Sequence, residues 1–172
     1  MIIGLVPGAM KPYHAGHHYL VEQALKECGA VVIFTTAKDR DGILGSNMQK
    51  AWRQILQPLL GVDVRFVPSP IRAVYEFLET ADSKDSYRIY SGAEDMNRFA
   101  STSLKKYCGN KDICNVAEDE AATYLRGVGS SPNVKGEWVR KAIIDGNFTT
   151  FRNYLPKFLK PYAKEYLSIL LG

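Results

Sequence analysis

The chain predicts an α/β fold: a doubly wound parallel sheet of five strands, with helices on both faces and further helices towards the C-terminal end. Short apolar, β-branched runs at residues 2–6 and 30–35 suit strands buried on both faces. Stretches of helical period alternate with such runs, the pattern of βαβ units. The loops after the runs are rich in glycine and polar residues, which puts the chemistry at one edge of the sheet. With 172 residues, 46% hydrophobic and 23% charged, the chain fits one domain spanning 1–172, inside the usual range of roughly 100–200 residues.

Taken in order, the first run leads through Gly8, Ala9, Met10, Lys11, Pro12 and Tyr13 into a helix with Leu20, Val21, Ala24, Leu25 and Cys28 on one face. Strand, tight loop and helix in this order place unpaired N–H groups at a strand's carboxyl end, where anions bind. His14 and His17, three residues apart at the helix start, could face the same anionic group. A surface pair or part of a metal site is the alternative. Gly8 allows close approach of a ligand, Pro12 stiffens the loop, and Gly16 leaves space beside the histidines.

Residues 30–35 form the second strand, and 36–46 read as a polar loop at the same edge, where Lys38 and Arg40 could meet a phosphate or form a solvated cluster. Met48, Ala51, Trp52, Ile55, Leu56, Leu59 and Leu60 mark an amphipathic helix ended by Gly61, with Lys50 and Arg53 on its polar side within reach of a second substrate. Val62, Val64 and Phe66 alternate as an edge strand stopped by Pro68 and Pro70. Val74, Phe77, Leu78 and Ala81 give the next helix, and residues 87–91 the fourth strand. Gly92, Glu94 and Asp95 then stand at a strand end and a helix start, where acids suit the helix dipole. Residues 112–117 are the fifth strand. Ser131 and Pro132 read as cap and first residue of a helix whose buried face is Val134, Trp138, Val139, Ala142 and Ile143. Phe148, Phe151 and Leu155 make a short apolar face, and the stretch from Leu159 to Leu170 a last amphipathic helix, docked on the sheet or at a subunit contact.

Composition argues against several classes. The formal charge of +4 is dispersed, without the basic, aromatic-studded face that nucleic acid requires. Cys28, Cys108 and Cys114 are odd in number and lack Cys-x-x-Cys spacing, against a disulfide framework or zinc knuckle. No apolar run approaches the roughly 20 residues that span a bilayer. The expectation is a soluble cytoplasmic protein with no membrane or nucleic-acid partner.

The ten residues Gly8-Ala9-Met10-Lys11-Pro12-Tyr13-His14-Ala15-Gly16-His17 resemble the G-x-F-x-P-x-H-x-G-H signature of the nucleotidylyltransferase superfamily, with Met10 in place of phenylalanine. The resemblance implies a Rossmann-like sheet and transfer of AMP or CMP from ATP or CTP to a small phosphate-bearing acceptor, with release of pyrophosphate. Length and opening motif look most like compact adenylyltransferases acting on nicotinamide mononucleotide; phosphopantetheine, glycerol phosphate and polyol phosphates are alternative acceptors. It assigns His14, His17, Lys11 and Arg140 to catalysis, and Gly8, Ala9, Met10, Gly16, Gly92, Asp95, Ser130, Ser131 and Lys135 to the nucleotide. Magnesium would ride on the triphosphate, with no metal site of the protein's own.

The family's Gly-x-Asp pattern is stretched by one residue between Gly92 and Asp95. Its second signature, Ile-Ser-Ser-Thr-x-Ile-Arg or Arg-x-x-Gly-Ile-Ser-Thr-Thr, is matched by residues 128–135 only with an insertion and Lys135 for arginine. Matching on Arg140 instead puts Lys135, Gly136 and Glu137 where hydroxyl residues belong. A longer loop would let Ser130, Ser131 and Arg140 all reach the phosphates. That departure keeps a non-catalytic nucleotide-binding protein as the other reading. His18 lies about 100° further round the helix and is expected to be dispensable for turnover. A homo-oligomer is left open.

Overall fold

A computed structural model of the chain describes residues 1–92, 95–116 and 134–172. Five strands form one sheet: β1 (Ile2–Pro7), β2 (Ala30–Thr35), β3 (Asp63–Phe66), β4 (Ser86–Ile89) and β5 (Asp112–Asn115). Their order is β3-β2-β1-β4-β5, and each neighbouring pair is parallel. Alternation along the strands feeds two separate cores. Leu5, Val32, Phe34, Tyr87 and Ile89 pack with Val74 and Leu78 of the Pro70–Glu79 helix and Leu104 of the Ser101–Cys108 helix. Val6, Val31 and Ile33 pack on the other side with Val21 and Ala24 of α1 (Ala15–Glu27), with Trp52, and with the C-terminal Val139, Phe151 and Tyr166. The expected doubly wound, Rossmann-like sheet is therefore present. Because β1 sits between β2 and β4, strand order reverses beside it, and the loops leaving β1 and β4 flank the crevice where such sheets bind ligands.

Several boundaries differ from expectation, each for a local reason. The helix expected from Met48 starts at Gly45 and runs through a π-helical turn, Trp52–Leu56, to Leu60. The Asp39 carboxylate accepts from the Gly45 N–H at 2.7 Å, and a Cβ on Gly45 would collide with the Ala37 carbonyl. Pro70, read as stopping β3, occupies the first turn of a helix whose N-cap, Ser69, accepts from the Arg72 N–H. The Ser101–Cys108 helix escaped the periodicity reading.

The helix expected to begin at Ser131 and Pro132 begins at Gly136: Val134 and Lys135 are non-helical, Lys135 being extended at φ −111°, ψ 142°. Ser131 and Pro132 themselves lie outside the described residues. The last amphipathic stretch divides into a 3-10 segment, Lys157–Tyr162, and a helix, Ala163–Leu171; Pro161 cannot supply the N–H that an α-helix would need there. No described helix is long and apolar enough to cross a membrane.

Candidate phosphate-binding site in the first βα loop

The loop after β1 is tied down from both sides. The Gly8 N–H donates to the Phe34 carbonyl at 3.0 Å, and Thr35 Oγ1 donates to the Ala9 carbonyl at 2.9 Å, so the end of β2 fixes its first half. The second half is held from the C-terminal helices, where Tyr166 Oη donates to the Tyr13 carbonyl at 3.0 Å and the Ala15 N–H to the Tyr154 carbonyl at 2.8 Å. Met10 turns into the left-handed region at φ 50° and buries its side chain to 2% exposure. That side chain fills the space over Gly8: a Cβ there would lie 3.1 Å from Met10 Cε. The glycine thus accommodates Met10.

His14 is the N-cap of α1, and the two histidines cap the helix reciprocally. The Gly16 N–H donates to His14 Nδ1 at 3.0 Å and the His14 N–H to His17 Nδ1 at 3.3 Å, a capping box built from imidazoles. The rings stack with centroids 3.8 Å apart and 24° between planes. Since each Nδ1 accepts, the ring proton sits on each Nε2, which is then a donor.

Both rings are held neutral. Burial, and then the nearby Arg140 cation, brings His14 down to about 4. Burial, and then His14, takes His17 well below its ordinary value. Gly16 does leave room for the pair: a Cβ would lie 2.8 Å from His14 Cε1 and 3.1 Å from the Val134 carbonyl.

His14 is only 4% exposed, whereas His17 is half-buried. The helix N–H groups, expected to meet a ligand, are used internally: Ala15 by Tyr154, Gly16 by His14 Nδ1, and His18 by the His14 carbonyl at 3.0 Å. What remains for a ligand is the side-chain tips. Among the described residues, the buried side-chain atoms lacking any partner are Tyr19 Oη, Trp52 Nε1 and Ser91 Oγ, and no nitrogen of the histidine cluster is one of them.

Lys11 and Arg140 join the same cluster. Lys11 is 3% exposed, and burial, with Arg40 beside it, lowers its ammonium to about 8. Asp39 opposes that fall, and Lys11 keeps most of its charge at neutral pH. Arg140 folds back from its helix so that Nη1 donates to the Lys11 carbonyl at 2.8 Å, while Nε pairs with Asp41 Oδ2 at 3.2 Å. Gly136 makes this possible, since a Cβ there would lie 2.8 Å from Nη1.

The other expected residues divide. Gly92 follows β4, with open space where a Cβ would stand, and β4 lies next to β1 in the sheet. Asp95 donates its N–H to the Gly92 carbonyl at 3.0 Å and its carboxylate lies 3.7 Å from Arg98, but its side chain caps no helix. The Lys135 ammonium lies over the Trp138 ring at 5.5 Å from its centroid, and the Arg53 guanidinium over the Phe66 ring at 5.9 Å. Ser130 and Ser131 lie outside the described residues. His18 Nδ1 bonds Tyr13 Oη at 2.9 Å. The sequence reading missed Asp41, Thr35 and Tyr154 as parts of the site; the Asp41-Gly42 pair is a two-residue turn signal that could have marked the first of them.

Residues 5–57 match the family described as citrate lyase ligase C-terminal domain. The matched stretch runs from β1 through the histidine loop, α1 and β2 into the helix that starts at Gly45, and the family lies within the nucleotidyltransferase-like superfamily. This part of the chain is thus similar to an enzyme domain. No curated protein matches the chain.

Proposed function

We propose that the chain is a nucleotidyltransferase, moving AMP or CMP from ATP or CTP to a small phosphate-bearing acceptor of the nicotinamide-mononucleotide kind. The observation carrying this reading is the stacked pair of neutral imidazoles, each with Nδ1 occupied by a backbone N–H and Nε2–H left to donate. An acceptor oxygen attacks the α-phosphorus in line, the bond to the bridging oxygen of the β-phosphate breaks, and pyrophosphate leaves. Such chemistry asks for positioning and charge neutralisation, without a covalent intermediate.

His14 and His17 donate to the α-phosphate oxygens as negative charge gathers there, and Lys11 and Arg140 hold the β- and γ-phosphates. Gly92, Asp95 and the Ser130–Ser131 pair would complete the nucleotide's surroundings. Magnesium would neutralise the triphosphate. That cation would be carried mainly by phosphate oxygens, with few ligands from the protein.

A second acceptor class is favoured by the match to a ligase family. A carboxylate oxygen attacking the same phosphorus would give an acyl adenylate and pyrophosphate. The test is a thermal-shift screen of the four nucleoside triphosphates with magnesium, followed by pyrophosphate release with phosphate-bearing and carboxylate acceptors. His14→Ala and His17→Ala should each lower turnover on the order of 10² to 10³-fold. Wild-type pyrophosphate release by both variants would overturn the mechanism.

A further inference from the structure

Arg140 is bonded on only part of its fork. Nη1 is held by the Lys11 carbonyl, Nε faces Asp41, and Nη2 has no partner among the described residues. Nε and Nη2 make up one edge of the guanidinium, the edge that two oxygens of a phosphate take together. Asp41 occupies half of that edge with a single oxygen at 3.2 Å.

The two partners are anchored very differently. The Arg140 side chain is 9% exposed and that of Asp41 65%. Asp41 sits at φ 46° and Gly42 at φ 88°, the centre of a two-residue turn closed by reciprocal Arg40–Ile43 backbone bonds of 2.9 Å. Displacing the carboxylate therefore requires movement of an exposed turn, while the guanidinium stays on the Lys11 carbonyl.

We propose that Asp41 is an internal competitor for a phosphate seat on Arg140: its carboxylate takes the place of a substrate oxyanion and swings out when a polyphosphate loads. This rests on the phosphate-binding reading above and adds a specificity determinant to it. A ligand must bring oxyanions that take both Nε and Nη2 and so displace the Asp41 carboxylate.

The experiment measures inorganic tripolyphosphate binding by calorimetry in the full chain. Asp41→Asn is the suitable variant, because asparagine tolerates the left-handed turn conformation. It should bind tripolyphosphate about 10-fold more tightly than wild type, within the usual range of coupling between sites. Arg140→Gln should bind more weakly, and adding Asp41→Asn to Arg140→Gln should give no gain.

Weaker binding by Asp41→Asn would overturn the proposal, since Asp41 would then be holding Arg140 in place. An equal gain in the Arg140→Gln background would also overturn it, by showing a general charge effect. If Arg140→Gln and the His14→Ala/His17→Ala double variant all bind like wild type, the phosphate-site reading itself fails. If they bind weakly and Asp41→Asn does not strengthen binding, only the competitor role fails.

Discussion

At the scale of single residues, His14 joins capping and chemistry in one ring. Its Nδ1 completes the first turn of α1, which leaves the ring proton on Nε2 and fixes the tautomer. Burial lowers its proton affinity from the ordinary 6.5 to about 4, so the unfolded chain binds the proton more readily than the folded one. The resulting stability is complete above about pH 6.5 and is lost as pH falls towards 4, a contribution on the order of 3 kcal/mol. His17 acts in the same direction. His14→Asn keeps a capping oxygen and removes the titration. Urea unfolding at pH 7 and pH 4.5 should therefore show a smaller loss in His14→Asn than in wild type; equal losses would mean that His14 is protonated as easily in the fold as outside it.

At the scale of elements, small residues decide where larger groups go. Gly16 gives the His14 ring its place and Gly136 gives Arg140 its path back to the loop. Alanine is the better helix former by about 1 kcal/mol, which offsets part of what Gly16→Ala loses when the His14 cap shifts. Its Cβ, 2.8 Å from His14 Cε1, must nevertheless push the ring aside, and misplacement by about 1 Å costs on the order of 10² in rate. Chemical denaturation alongside turnover checks this: a fully active Gly16→Ala would show that the ring position is unimportant. The element boundaries that periodicity misplaced, at Gly45 and Gly136, are set by contacts of this kind, which hydrophobic spacing does not register.

At the scale of the whole molecule, the C-terminal helices act on the first loop. The bond from Tyr166 to the Tyr13 carbonyl is buried and joins residues 153 apart in sequence. Tyr166→Phe removes the donor and leaves that carbonyl without it, at a cost of about 1–3 kcal/mol. Thermal or urea unfolding should show that loss, with a parallel fall in polyphosphate affinity as the histidine loop loosens; a drop in stability with unchanged affinity would confine Tyr166 to a structural role.

Much of this was written locally. The β-branched runs, their alternation with helical periods and the His-x-x-His pair after the first strand specify the sheet and mark the loop, because strand formation, helix capping and a three-residue spacing depend on near neighbours. Beyond the resemblance that put Arg140 at the site, the contacts of that loop were not legible. Arg140 reaches the carbonyl of Lys11 across 129 positions, Asp41 meets Arg140 from a different strand's loop, and Met10 fills the space above Gly8. Which buried charge finds which counter-charge is decided only when the chain closes on itself, since desolvation and pairing energies depend on distances in space and not on order along the chain.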